Sequence, residues 1–444
     1  MKKFTKFGAL ALTSALTLSV VAVASPASAA ACSKRTTVVM LGTIKTEIKD
    51  QFLAAVKKYN ASQKCYTLKS IAGDNKNTFL QNVTPMYAAK NAPTIMYTLQ
   101  EIPDMADKVM DWKGTKLEKL VSPGLLAAAN VNGKQVGVPS TAEAFGLLYN
   151  KKVLDAAGIN PASIKTRTDL ENAFKTLQAK GKKAIHFSAI WWSLGAHFTN
   201  IYHASSAKTH EGRLAVLDSL SDGKKDLTAD PVWKNWLATF DLLKKYNGST
   251  PNLTDTEYDA SIADLASGDY GFLFQGNWTE PNLMTAAADT NFGLMPLPIS
   301  TDAKAYGNDS IPVGVPGYFM IDNKQSTKAE RDGAIDFLTW LYTSDAGQHF
   351  VADPVTKGGM GFIPVYSGFK VEPATFMAKE IAKFVAAGKT LEWINTYYPA
   401  GLQETVGKVS MQQYFTDKIS SADLAKAIQD AWKGSTKTWR GAAK

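Results

Sequence analysis

The feature that most restricts this chain is an alternation near its start, where short apolar runs are separated by stretches of helical periodicity. Thr36–Leu41, Tyr66–Ile71 and residues 94–97 are each the length of a strand. Between the first two, Ile48, Phe52, Val56 and Tyr59 recur at spacings of four, four and three, which lines one face of a helix. Strands and helices in this order predict a parallel sheet with right-handed crossovers. Further strand candidates follow at 135–138, 145–150, 184–187, 270–274 and Phe292–Met295. The last third reads as mainly helical. Thr327-Lys328-Ala329-Glu330 is a capping box opening a helix with Ala334, Phe337, Leu338 and Leu341 on one face, and Leu424, Ile428 and Trp432 stripe the final helix. A chain of 444 residues exceeds one simple core, so two lobes are expected.

The start of the chain has a different character. Lys2, Lys3 and Lys6 precede an uncharged run over 8–24, and Pro26 then leads into Ala27-Ser28-Ala29. Basic start, apolar middle and small-residue end are the three parts of a secretory signal, so residues 1–29 are expected to be removed and the mature chain to begin at Ala30. A membrane span needs roughly 20 strongly apolar residues. This run is shorter and diluted by Ser and Thr, and no later segment approaches that length. The expected location is the periplasm or the outer face of the cytoplasmic membrane.

Cys32 and Cys65 each stand just before an apolar run, Thr36–Leu41 and Tyr66–Ile71. If those runs are neighbouring parallel strands, both thiols lie at one end of the sheet and can pair in an oxidising compartment. On the chain-entropy model such a bond stabilises the fold by about 3–4 kcal/mol. The other reading takes Cys32 as a lipid-anchored terminus, but Ala29 stands where a lipoprotein signal carries a branched aliphatic residue.

The formal net charge of +9 falls to +6 once the three signal lysines leave. It is scattered, without the basic stripe that nucleic-acid binding needs, so no nucleic-acid partner is expected. There is no GxGxxG opening a helix, no GxxxxGK[ST], no HExxH and no GxSxG. Gly358-Gly359-Met360-Gly361 reads as a turn. His197 and His203 are close in sequence but lack further ligands at metal spacing. No cofactor, metal or catalytic group is expected, and binding stands ahead of catalysis.

Ten tryptophans are present instead. Trp233, Trp236, Trp340 and Trp432 recur at helical spacing among aliphatic residues and read as packing. Trp191 and Trp192, Trp278, and Trp393 with Tyr397 and Tyr398 sit in connecting segments. An indole offers a flat apolar face and an N–H at its edge, which suits the C–H face and hydroxyl rim of a pyranose.

The stretch Gly133-Lys134-Gln135-Val136-Gly137-Val138-Pro139, followed by Glu143-Ala144 and Leu147-Leu148-Tyr149-Asn150, resembles extracellular solute-binding proteins of the maltose-binding-protein type where the chain first crosses between lobes. Gly276-Asn277-Trp278, residues 292–298 and residues 313–319 resemble later elements of that family in the same order. The resemblance implies an α/β, two-lobed type II periplasmic-binding-protein fold, each lobe a mainly parallel sheet flanked by helices, with a sugar held in the cleft. It implies a monomer that delivers its saccharide to the membrane permease of an ABC importer. It matches Glu143 to a carboxylate that accepts from sugar hydroxyls, Trp191 and Trp192 to an aromatic pair, and Trp278 to the main stacking residue. Gln100 and Glu101, and Thr43 and Lys45, fall in two polar contact regions, although Leu99-Gln100 and Thr43-Ile44 stand where the family often has charged pairs. The last aromatic contact is open among Trp393, Tyr397 and Tyr398. The implied lobes are 36–140 plus 299–323 and 145–295 plus 327–444. Two alternatives remain: the same fold for a non-sugar solute, and a secreted carbohydrate-active enzyme with two carboxyls across the bound bond.

Overall fold

The computed structural model describes residues 32, 34–42, 44–73, 78–99, 101–254, 256–288 and 291–440, so the signal segment and Ala30 lie outside the described residues. The opening alternation folds as its pattern dictates. Thr36–Leu41 pairs in parallel with Tyr66–Ile71, and Ile95–Thr98 joins its other side, also in parallel. The helix Lys49–Ser62 buries Phe52, Ala55, Val56 and Tyr59, with Ile48 just before it. Because Thr36 stands opposite Tyr66, the preceding cysteines meet, and Cys32 and Cys65 form a disulfide.

Two strands complete this first sheet from elsewhere in the chain. Tyr318–Ile321 runs antiparallel to Ile95–Thr98, and Val138–Pro139 pairs beyond it. The second sheet is ordered Thr390–Glu392, Ile311–Gly314, Glu143–Asn150, Tyr270–Gly276, Lys183–His186, with Phe292–Met295 also on Glu143–Asn150. Its long fully buried strand, Glu143–Asn150, is antiparallel to three neighbours. Both sheets are therefore mixed. In the first sheet the expected parallel order holds for the three strands joined by helices and is lost where Tyr318–Ile321 arrives by crossing from the other lobe.

Each sheet has its own apolar core. The first gathers Val38, Phe52, Trp112, Phe319 and Phe337. The second gathers Phe145, Phe174, Phe187, Trp236, Phe274 and Trp432. Burying each such side chain stabilises by about 1.5–3 kcal/mol. Two segments sit opposite to the expected lobes. The capped helix Lys328–Thr343 packs Phe337, Leu338 and Leu341 into the first core, because Gly333 lets it lie against Val38 and Tyr66. Leu297 and Ile299 instead belong to the second core, and Arg167 Nη1 fixes that segment by donating to Ile299 O at 2.6 Å.

The chain passes between lobes after Pro139, after Gly314 and after Tyr366. Tyrosines tie these crossings together at the hinge. Tyr342 donates to Ser140 O at 2.7 Å, Tyr366 donates to Pro139 O at 2.5 Å, and Ala142 bridges Ile363.

Candidate ligand-binding site

A cavity of about 310 Å³ lies between the two sheets. Lys45, Thr46, Glu47 and Leu99 line it from the loops that follow the first and third strands, and Pro316 from a crossing. Glu143, Trp192, His197, Trp278 and Trp393 line it from the second lobe. These wall residues are placed by backbone rather than by chance contact. Glu143 is the first residue of its long strand, immediately after the first crossing. Trp278 follows the strand Tyr270–Gly276, and Trp393 follows Thr390–Glu392. A Cβ on Gly276 would sit 2.0 Å from the Trp278 ring, and one on Gly314 would sit 2.3 Å from the Cβ of Trp393. Glycine at both positions is what lets these indoles lie flat against the sheet.

The rings surround a histidine. His197 is 4.7 Å from Trp278, 5.5 Å from Trp192 and 5.7 Å from Trp393, centroid to centroid, with Phe145 behind it at 4.8 Å. Trp278 and Trp393 are 6.1 Å apart at 38°, so the two indoles form one slightly folded apolar wall. Trp278 is only 8% exposed and belongs to the second core. It lines the cavity and is a packing residue as well.

The polar side is equally organised. Lys45 Nζ donates to Glu143 Oε1 across the two lobes, and stands 5.5 Å from the Trp278 ring centroid. Tyr258 adds a second interlobe bond, donating to Glu47 Oε1 at 2.7 Å, and its ring leans on Trp192 at 5.7 Å. Burial pushes the Glu143 carboxyl above its ordinary range, and the Lys45 ammonium pulls it back. Its second oxygen, Oε2, is enclosed with no hydrogen-bond partner, as is Trp393 Nε1. An enclosed group left unpaired costs about 1–3 kcal/mol, more when charged.

The other expected residues are distributed differently. Trp191 is half-buried beside the cavity's helix, with Lys408 Nζ 5.4 Å from its ring, and is not a lining residue. Thr98 Oγ1 donates to Glu101, which precedes the short helix Ile102–Met105 and leaves Leu99 to face the cavity. Tyr397 and Tyr398 line a second cavity, of about 180 Å³, which also includes Leu99, Pro103, His210 and Trp439. The Tyr398 hydroxyl is already engaged by His203 Nδ1 and Thr199. Thr43 and Gln100 lie outside the described residues. Sequence reasoning missed Glu47, Tyr258 and His197 as a set. Only proximity to Lys45 and to the tryptophan pair marked Glu47 and His197, and nothing marked Tyr258.

A roomier cavity lies elsewhere. About 570 Å³ opens between Tyr149, Pro161, Leu294 and Phe384. It shares no residue with either interlobe cavity, and its Lys151–Asp155 and Lys389–Asp309 pairs, at 2.6 and 3.0 Å, leave those charges satisfied. Size alone does not make it the site.

Comparison with known proteins identifies the family and the fold. Residues 54–383 match the family described as bacterial extracellular solute-binding protein. The melibiose/raffinose/stachyose-binding protein MelE of Bacillus subtilis (strain 168) is 22% identical over 312 residues, covering 68% of this chain and 67% of that protein. The solute-binding protein RafE in complex with raffinose superposes with a TM-score of 0.69 at 17% identity, covering 89% of this chain and 100% of that one. Maltose-bound MalE3 of T. maritima gives 0.69 at 16% identity over 89% of this chain and 99% of that one. At those identities the superpositions establish the shared two-lobed, type II periplasmic-binding-protein fold.

Proposed function

Starting from the fact that this chain belongs to the bacterial extracellular solute-binding proteins, we propose that it captures a neutral oligosaccharide between its lobes and hands it to the permease of an ABC importer. The observation that carries this reading is the wall of Trp192, Trp278 and Trp393 facing a carboxylate and an ammonium across one interlobe cavity. Stacking on the indoles and hydrogen bonds from hydroxyls to Glu143 and Lys45 are complementary demands that a pyranose meets together. Leu99 lines both interlobe cavities, which supports a ligand longer than one ring. MelE, named for binding melibiose, raffinose and stachyose, and RafE, solved in complex with raffinose, support the same class.

Closure follows from differential contact. A sugar touching Lys45 from one lobe and Trp278 from the other favours the closed state only by the contacts that the open state lacks. Export to the periplasm or the outer membrane face is supported by the Cys32–Cys65 bond, since such bonds persist in oxidising compartments.

The enzyme alternative has one feature in its favour, because Glu47 and Glu143 share the cavity. Both already have partners, Glu143 in Lys45 and Glu47 in Tyr258 and Thr46. A thermal-shift screen against mono- and oligosaccharides, peptides and polyamines tests the assignment. At 100 times Kd a ligand adds about 2.7 kcal/mol to stability. A neutral oligosaccharide should raise the melting temperature and be recovered intact by mass spectrometry. A shift with peptides or polyamines alone, or a cleaved sugar, would replace this reading.

A further inference from the structure

We infer that His197 is a specificity-determining residue of this cleft, presenting an uncharged imidazole to a hydroxyl of the bound sugar. The inference rests on the saccharide reading above and names a contact within it. His197 lines the cavity and is centred among three tryptophans. Nδ1 is enclosed and unpartnered. A histidine kept only for packing is a poor choice in such a place, because an aromatic hydrocarbon of similar size fills the space without leaving a polar atom unpaired.

The backbone shows that the ring is held, not merely tolerated. His197 sits in a π-helical turn, Ser193–Phe198, which packs against a second π-helical turn, Val406–Met411. The two approach so closely that a Cβ on Gly195 would lie 2.8 Å from Gly407 N. π-Turns inserted in helices are uncommon and concentrate at functional sites, where they redirect a side chain. Here the redirected side chain is the one at the centre of the indoles.

Its electrostatic state suits a hydroxyl. Burial, aided by the Lys45 ammonium, lowers the imidazole's pKa to about 3, so it is neutral at any physiological pH. A neutral imidazole has one donor and one acceptor nitrogen, and a hydroxyl likewise donates and accepts. An imidazolium beside Lys45 would instead call for an anion.

The test uses calorimetry on the exported protein with raffinose, stachyose and maltose as probes, together with melting temperatures without sugar. His197→Phe should weaken binding of the best probe tenfold or more while leaving the sugar-free melting temperature unchanged or higher, since it removes an unpaired buried nitrogen. His197→Gln, which keeps a donor and an acceptor, should recover part of the loss. Wild-type affinity should stay level between about pH 5 and 8, as a group titrating near 3 requires. Equal affinity of wild type and His197→Phe would overturn the inference and leave the saccharide reading standing. A lower sugar-free melting temperature with unchanged affinity would make His197 a packing residue. A wild-type protein blind to every saccharide in the screen would remove the saccharide reading itself, which is a separate result.

Discussion

Two groups of aromatic side chains share the core of the second lobe, and only one of them lines the cavity of about 310 Å³. In the first, Trp192, Trp278 and Trp393 surround His197. In the second, further along the same helical stretch, His203 lies among Tyr202, Tyr398 and Trp432. Both imidazoles are pushed down to about 3, chiefly by burial. Burial is therefore not what separates them. The difference is in the partners: His203 Nδ1 is bonded to the Tyr398 hydroxyl, whereas His197 has a cavity beside it. Each imidazole also keeps one enclosed nitrogen without a partner, so what sets His197 apart is the cavity it lines.

The sharpest way to break this division is to truncate one indole from each group. Trp432 is 1% exposed, so Trp432→Ala should destabilise the protein by about 3–5 kcal/mol and leave sugar affinity unchanged. Trp278→Ala should lose about 2–4 kcal/mol of binding energy, a dissociation constant weaker by roughly thirty- to thousandfold. Because Trp278 also packs on Gly276 within the core, its variant should melt lower too, by less than the Trp432 variant. Calorimetry and thermal melting on both proteins check this. Comparable loss of affinity in the two would erase the distinction between wall and core.

Much of the fold was legible because its signals are local. The Thr327–Glu330 capping box and the Leu424, Ile428, Trp432 stripe both appear where the periodicity places them. The disulfide was legible for the same reason, since two strand starts fixed both thiols. Lobe membership was not. The apolar face of helix Lys328–Thr343 does not name the core it packs on, and its close approach to Val38 and Tyr66 at Gly333 is a tertiary contact. The site was half legible. Trp192, Trp278, Trp393, Glu143 and Lys45 meet at one cavity, but the neighbouring Trp191 and Tyr398 do not. Adjacent residues on a helix point about 100° apart, so membership of a pair says nothing about which member faces the cleft. Tyr258 was invisible because its role exists only across the lobes, with Glu47.

A smaller perturbation sharpens the comparison at its polar edge. Tyr398→Phe removes the hydroxyl that His203 Nδ1 and Thr199 share, without emptying the core. Another buried nitrogen then goes unpaired, since His203 Nε2 has no partner already. The expected cost is about 1–3 kcal/mol of stability, with sugar affinity within a factor of two of wild type. Denaturant unfolding measures the first and calorimetry the second. A large affinity loss would place Tyr398 back in the contact set.

The mildest effect is the response to acid, and it applies to both histidines at once. Each has a folded pKa of about 3, below the ordinary value of 6.5. Below pH 6.5 the unfolded chain binds protons that the folded chain does not, so stability is highest above that value and falls as the pH drops towards 3. Below about 3 both states are protonated and the loss levels off. The surroundings set the sign. His197 faces Lys45, which reinforces burial, while His203 feels Lys225 in the same direction and Asp230 against it. Between pH 7 and pH 6 each histidine should contribute a loss of under about 1 kcal/mol, steepening towards about 1.4 kcal/mol per pH unit further down. Unfolding measured at pH 7, 6 and 5 for wild type, His197→Phe and His203→Phe should show a shallower decline in each variant. Sugar added in excess should restore stability across this range in wild type and His203→Phe, and much less in His197→Phe. If the decline is equally steep in all three, the two imidazoles are not the neutral, enclosed groups on which the comparison depends.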